Sequence, residues 1–283
     1  MRYAKFRVVK RNVKSSVFTH LFSISKYKKE LYLSLHPKEK DIEDKEIKTW
    51  TLSSIFTNIQ INDLGLLVRD TLLVLVEAQS TWTLNILPRM LEYLAESYNR
   101  YVIETNQNIY GTKKVRLPKA ELYVLYTGSK QIKDREISFK KEFFNDNSPI
   151  EIRVKVISLK NSSKIVKEYI RFSKVLDNNN KLYNYTKKSI NETIKYCITH
   201  NILKEYLKEN KKEVYNMMTS VYDQDTAIEM CMREQYAEGR AEGKAEGKLS
   251  VLVSMVKDKL LSVAEAAKRL GVSEKEFMRL AKA

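Results

Sequence analysis

The stretch "NDLGLLVRDTLLVLVEAQST", residues 62–81, indicates the fold because two apolar segments flank a short polar one. It predicts two strands joined by a tight turn at residues 69–71. Because successive side chains of a strand point to opposite faces, the second strand is apolar on both faces until Glu77 and Gln79. The pattern predicts a central strand with helices on both sides, whose C-terminal end emerges beside a cleft.

The predicted hairpin register brings two carboxylates together. A three-residue turn places Val68 opposite Leu72 and, at the far end, Asp63 opposite Glu77. Their Cβ atoms would lie roughly 4.5–5.5 Å apart, where like charges repel unless a cation lies between them. A carboxylate-held Mg²⁺ (or Mn²⁺) would relieve this repulsion and support phosphodiester hydrolysis. Taken singly, Asp63 capping a turn and Glu77 leaving the core are the simpler interpretations. Together with Gln79, the functional interpretation is favoured.

The surrounding pattern predicts an α/β core. In chain order, its elements are a helix in residues 14–37, the two strands, a helix in residues 85–104, and strands around Leu122–Tyr126 and in residues 149–159. Ser15 or Ser16 is predicted to cap the first helix, and Pro88 to occupy the first position of the second.

Beyond about residue 160 the strand signal stops, and residues 190–218 show helical periodicity, so a helical region is predicted to follow the core. The repeat "AEGRAEGKAEGK", residues 237–248, places glycine at every fourth position, which fits either a solvated linker helix or a close homodimer contact. Residues 260–280 resemble a helix-turn-helix. Because residues 216–283 balance basic and acidic residues, a packing or partner-binding hairpin is favoured there over a module that reads DNA bases.

The charge of the chain is unevenly distributed. The net charge is +16, from 51 Lys and Arg and 35 Asp and Glu. Residues 1–40 carry +9 and residues 151–215 carry +8, whereas residues 41–80 carry −4. Basic flanks around an acidic segment suit a DNA-binding enzyme with a cation site. A compositional bias toward lysine on a solvated surface explains the same numbers equally well.

Several classes of protein are disfavoured by the sequence. Two cysteines and three histidines show no metal-ligand spacing, so neither a disulfide framework nor a zinc site is predicted. The longest apolar run, residues 72–76, is far shorter than the roughly 20 residues of a membrane span. The N-terminal residues carry scattered charges where a secretory peptide is apolar. The sequence therefore predicts a cytoplasmic protein without a membrane partner.

The arrangement of Asp63, Glu77 and Gln79 resembles the Asp…Glu-X-Lys core of the PD-(D/E)XK nuclease superfamily. The opening stretch looks like its Rpn branch, the recombination-promoting nuclease and transposase family. Further segments resemble that family, namely "SVFTHLFS", "LYLSLHP", "LPRMLEYLAESY", "YGTKKVRLPKAELYVLYTG", "CITHNILKEYL", "EVYNMM" and "EQYAEGRAEGKAEGK". The resemblance implies a restriction-endonuclease-like mixed sheet flanked by helices, with a C-terminal helical region. It also implies Mg²⁺-dependent DNA cleavage, with Asp63 and Glu77 as metal ligands and Gln79 as the third catalytic residue.

The chain departs from the family pattern at two positions. Gln79 stands where the superfamily usually has lysine, although glutamine is common in the Rpn branch. Ser15 lies near where an acidic residue of the first helix would complete the metal site. Arg89, or Lys113 with Lys114, could supply the missing positive charge.

Three regions and two functions are predicted. The regions are a nuclease-like core in residues 1–158, a helical region in residues 159–232, and the repeat helix with its hairpin in residues 233–283. The first function is a metal-dependent DNA endonuclease associated with recombination or mobile elements. The alternative is a non-catalytic DNA-binding or assembly protein on a decayed nuclease fold.

Overall fold

The computed structural model of the chain describes residues 12–50, 64–128, 130, 132, 136–159 and 162–281. These residues divide into two compact units, and the division falls between Asp223 and Gln224. The first unit is α/β, and the second is helical.

The first unit is built on a mixed sheet. Its six strands are β1 Ile47–Thr49, β2 Leu64–Val68, β3 Leu72–Gln79, β4 Lys119–Tyr126, β5 Glu136–Ser138 and β6 Arg153–Ile157. The spatial order is β1-β2-β3-β4-β6-β5. The β3/β4 and β4/β6 pairs are parallel, and the other pairs are antiparallel. The predicted α/β class with a mixed sheet is confirmed.

The β2/β3 hairpin has the predicted register over the residues that the structure describes. Val68 pairs with Leu72, and Leu64 pairs with Val76. Arg69 and Asp70 adopt φ angles of 48° and 53°, which reverse the chain within a tight turn. Asp63, the next residue beyond β2, lies outside the described residues, as does its predicted pairing with Glu77.

Helices cover both faces of the sheet. They are α1 Asn12–Ser23, α2 Ser25–Leu35, α3 Ile86–Glu104, α4 Phe139–Phe144, α5 Lys164–Leu182, α6 Lys187–Thr199 and α7 Lys204–Glu209. Val74 and Val76 of β3 pack with α1, α2 and α5 in one cluster, the α5 core. Leu73 and Leu75 pack with α3 in the other, the α3 core. The prediction that β3 is a central strand buried on both faces is confirmed.

Two predicted helix starts are corrected by the structure. The first helix is already formed at Asn12, so Ser15 and Ser16 lie inside α1 and do not cap it. Helix α3 begins at Ile86, so Pro88 is its third residue. Proline is tolerated there because the N–H groups of the first turn have no partner within the helix.

The first predicted helix is in fact two helices. Ile24 is extended, with φ −71° and ψ 128°, and it separates α1 from α2. This break lets Phe18 on α1 and Leu31 on α2 both bury their side chains in the α5 core. The predicted end of the helical pattern before His36-Pro37 is confirmed, since α2 ends at Leu35.

The short elements were not predicted. Strands β1 and β5 have three residues each, too few to show a periodic pattern. Strand β6 buries Val154 and Val156 as predicted, whereas Ile150 is exposed and lies outside the strand.

The second unit contains the end of a long helix and a helical hairpin. Helix α8, Lys211–Lys257, spans the division between the units, and α9 Val263–Leu270 and α10 Glu274–Leu280 follow it. Ser273 caps α10 by accepting a hydrogen bond from the N–H of Glu276 at 3.2 Å. Gly271 supplies the left-handed turn with φ 84°. The predicted order of helix, glycine, serine cap and helix is confirmed.

The glycines of the repeat lie on the exposed part of α8. Among the described residues, and apart from the nearby backbone of α8 itself and the adjacent residues, no atom lies within 4 Å of the position that a side chain at Gly239, Gly243 or Gly247 would occupy. The linker and dimerisation interpretations of the repeat therefore both stand. Within the described ranges, no helix is both long enough and apolar enough to cross a membrane.

Candidate active site

The end of β3 carries two largely covered polar side chains. Glu77 and Gln79 continue the face of β3 that Leu73 and Leu75 begin, the face of the α3 core. The Glu77 side chain is 12% exposed, and Gln79 is 7% exposed. The two side chains are therefore largely covered at the end of the strand, so the simpler interpretation, in which Glu77 leaves the core for solvent, does not hold. Burying an ionised carboxylate is costly unless it is paired.

Arg89 of α3 supplies the partner of Glu77. Its Nη2 forms an ion pair with Glu77 Oε1 and donates a hydrogen bond to Gln79 Oε1 at 3.2 Å. The first turn of α3 is fixed by Ile86 and Leu87, which are fully buried, and this holds Arg89 over the strand end. One guanidinium therefore bridges the carboxylate and the amide.

Gln79 is fixed at both ends of its amide. Its Nε2 donates a hydrogen bond to the Thr81 carbonyl oxygen, so its Oε1 is oriented toward Arg89. The Nε of Arg89 is buried and has no hydrogen-bond partner among the residues that the structure describes. The three side chains form a fixed polar cluster at the C-terminal end of β3.

The structure distinguishes among the cations proposed from sequence. Of Arg89, Lys113 and Lys114, Arg89 is the residue that contacts Glu77. Lys113 and Lys114 lie in the segment that leads into Lys119, which pairs with Leu72 at the other end of β3. The sequence could not distinguish these candidates, because it does not show at which end of β3 the segment with Lys113 and Lys114 lies.

Ser15 is not brought to Glu77. Helix α1 packs in the α5 core, whereas Glu77 is on the face of the α3 core. Ser15, which lacks the acidic side chain expected near this position, is therefore on a helix that packs against the other face of the sheet.

Several carboxylates of the acidic segment are paired with cations elsewhere. Glu46 accepts a hydrogen bond from Arg69 Nε at 2.9 Å, and Asp70 pairs with Lys48 at 2.8 Å. In the parts of the chain that the structure describes, no group of three or more His, Cys, Asp or Glu side chains is placed to hold a metal ion. Some of the carboxylates that make residues 41–80 acidic therefore form local ion pairs away from Glu77.

A second polar cluster, not predicted from sequence, lies near the start of β4. Glu121 accepts a hydrogen bond from the Tyr123 hydroxyl at 2.6 Å and lies 3.1 Å from His36 Nε2. Burial alone would raise the pKa of Glu121, but the Tyr123 hydrogen bond and the charges of Lys155 and His36 offset burial and lower that pKa below its ordinary value. The available signal was a glutamate on the same strand face as buried Tyr123 and Leu125.

Replacing Glu121 with glutamine is expected to lower the free energy of unfolding by about 1–2 kcal/mol at pH 5. Because folding lowers the pKa of this carboxyl, its contribution is present above the pKa of the unfolded chain and is lost as pH falls through the folded pKa. Urea denaturation of the wild type and the variant should therefore differ at pH 5, and the difference should shrink as the pH is lowered below the ordinary pKa of a glutamate. An equal difference at the lower pH would show that the carboxylate charge is not what stabilises the fold.

Comparisons of the chain with protein-family models, curated proteins and solved structures find no significant match.

Proposed function

We propose that this protein is a metal-dependent DNA endonuclease that hydrolyses phosphodiester bonds in the cytoplasm, in recombination or the movement of mobile elements. The observation that carries the proposal is the cluster of Glu77, Gln79 and Arg89 at the C-terminal end of a central strand. A largely covered carboxylate with a specific charge partner marks a candidate functional site. The mixed sheet with helices on both faces agrees with the expected restriction-endonuclease-like core.

The proposed metal ligands are Glu77 and Asp63. The described β2/β3 ladder ends at the pair Leu64 and Val76, and the pairing of Asp63 with Glu77 is the one predicted from the sequence. Carboxylate and amide oxygens are hard donors that suit Mg²⁺ or Mn²⁺. When bound, the metal would supply positive charge to the scissile phosphate and acidify a water molecule.

The protein side chains have separate proposed roles. Gln79 orients the attacking water through its amide, in the position where lysine would bring a charge. Arg89 supplies that charge from α3, since its guanidinium lies against both Glu77 and Gln79. A guanidinium stabilises the charge that develops on phosphate oxygens in the transition state.

One observation favours the alternative function. Arg89 forms an ion pair with Glu77, which is an arrangement that a non-catalytic DNA-binding or assembly protein on a decayed nuclease fold would retain. Metal binding must compete with this ion pair for Glu77. The two functions therefore differ in whether metal displaces Arg89 from the carboxylate.

The experiment that separates the two functions is incubation of supercoiled plasmid with the wild type and Mg²⁺ or Mn²⁺, with EDTA as the control. The endonuclease nicks the plasmid with metal and leaves it intact in EDTA. DNA binding without nicking in either metal ion would support the non-catalytic protein instead.

We also propose a homodimer through the repeat helix. The exposed stripe of Gly239, Gly243 and Gly247 would let two helices approach closely. Sedimentation velocity over a range of concentrations tests the assembly, and a monomer throughout would exclude it.

A further inference from the structure

The segment between α3 and β4 is a loop held at its base by one side chain. The amide of Gln107 makes two hydrogen bonds to the backbone of Arg116: Nε2 donates to the Arg116 carbonyl at 3.0 Å, and Oε1 accepts from the Arg116 N–H at 2.6 Å. Nearer the tip, Asn108 Oδ1 accepts a hydrogen bond from the Tyr110 N–H at 2.9 Å. These bonds give residues 107–116, the Gln107 loop, a fixed shape without a hydrophobic core of its own.

The Gln107 loop presents an aromatic ring and three cations to solvent. Tyr110 is 96% exposed, and Lys113, Lys114 and Arg116 are exposed as well. The sequence between residues 105 and 118 contains no Asp or Glu. None of the three cations forms an ion pair with a residue that the structure describes, although Glu104 and Glu121 on either side are paired. Within ten residues the loop therefore exposes three cations and one aromatic ring.

Because the Tyr110 ring and the three cations are all exposed, a partner can contact these four side chains together. Cations neutralise phosphates, and a flat ring stacks on an unpaired base. We propose that the Gln107 loop binds single-stranded nucleic acid, with Lys113, Lys114 and Arg116 on phosphates and Tyr110 stacked on a base. This inference deepens the proposed function, because it names the strand-binding surface that a DNA endonuclease needs.

The Gln107 loop is distant from Glu77. The loop leads into Lys119, which pairs with Leu72, and Glu77 lies five residues further along β3, or about 17 Å at 3.3 Å per residue. Strand binding by the loop and cleavage at Glu77 therefore use different residues. Each can be removed without touching the other, so the two proposals can fail separately.

The test is fluorescence anisotropy with a labelled single-stranded 30-mer in EDTA, where no cleavage occurs. Tyr110→Ala should weaken binding about tenfold, and Tyr110→Phe should bind as the wild type does, because stacking needs only the ring. The double variant Lys113→Gln/Lys114→Gln should bind about 25-fold more weakly at 0.1 M salt. It should also lower the slope of log affinity against log salt by about 1.4.

Matched controls separate the loop from overall charge and from catalysis. Lys244→Gln/Lys248→Gln removes the same charge from exposed positions on α8 and should change the affinity much less than the loop double variant. A wild-type protein that binds the 30-mer through the loop but never nicks plasmid would leave this inference intact while removing the proposed nuclease.

Two results would overturn the inference. The first is an unchanged affinity for the 30-mer in both Tyr110→Ala and the double-lysine variant, with unaltered melting temperatures. The second is an equal effect of Tyr110→Ala on binding to labelled poly-glutamate, which has the charges of a polyanion but no bases. That second result would assign the loop to an acidic protein partner.

Discussion

Replacing Glu77 with glutamine is expected to reduce plasmid nicking by about 100- to 1,000-fold, the usual cost of removing one group that stabilises transition-state charge. The substitution keeps the shape of the side chain but removes its charge and a proposed metal ligand. Arg89 can still donate to the amide oxygen that replaces the carboxylate, so the variant should remain folded. Gel analysis of supercoiled plasmid at saturating Mg²⁺ measures the effect.

The matched control for this prediction is Glu92→Gln. Glu92 lies on α3, three residues after Arg89, but its side chain is exposed, so the control removes the same charge from the same helix without changing the cluster. It should nick plasmid at the wild-type rate. Nicking by Glu77→Gln at that same rate would place the active site elsewhere in the chain.

Replacing Tyr169 with alanine is expected to lower the free energy of unfolding by about 3–5 kcal/mol, the cost of removing a large buried aromatic side chain. Tyr169 of α5 is fully buried, and its ring centroid lies 5.2 Å from that of Phe18 on α1. Its hydroxyl donates a hydrogen bond to the Lys14 carbonyl at 3.0 Å. The residue therefore joins the N-terminal helix to a helix more than 140 residues later in the chain. Chemical denaturation measures the loss.

Two further variants show what Tyr169 contributes. Tyr169→Phe removes only the hydroxyl and should cost about 1 kcal/mol. Tyr196→Ala truncates a tyrosine on α6 that is 45% exposed and should cost much less than Tyr169→Ala. Equal stability of Tyr169→Ala and Tyr196→Ala would contradict the claim that Tyr169 stabilises the fold by packing α5 against α1.

The central hairpin was predictable because its signals are local and agree with one another. A strand that is apolar on both faces must lie inside a sheet, and a three-residue separation sets the register of its partner. Val68 and Leu72 pair as that separation requires. The helical structure in residues 190–218 and the hairpin after residue 260 followed from helical spacing and from caps such as Ser273.

The errors arose where tertiary packing decides the outcome. The break at Ile24 serves the burial of Phe18 and Leu31 in one core, and no proline or glycine marks it in the sequence. The strands β1 and β5 exist because longer neighbours pair with them. Such short strands have too few residues for a propensity to show.

The candidate site was predictable in its residue types but not in its contacts. The sequence gives Glu77 and Gln79 one face of one strand, and the structure places both there. The sequence offered three candidate cations, Arg89 and the pair Lys113 and Lys114. The packing of the first turn of α3 shows that the guanidinium of Arg89 is the one that reaches Glu77. Sequence spacing also could not show that α1, with Ser15, packs on the other face of the sheet.

The most direct test of the account is the effect of Mg²⁺ on the thermal stability of the wild type and of Glu77→Gln, since a ligand that binds only the folded state stabilises it by mass action. If Glu77 holds the metal, Mg²⁺ at about 100 times its dissociation constant stabilises the wild type by about 2.7 kcal/mol. The variant should lose most of that gain. The contradicting result is a Glu77→Gln protein that is several kcal/mol less stable without metal and gains as much from Mg²⁺ as the wild type. Glu77 would then be only the structural partner of Arg89.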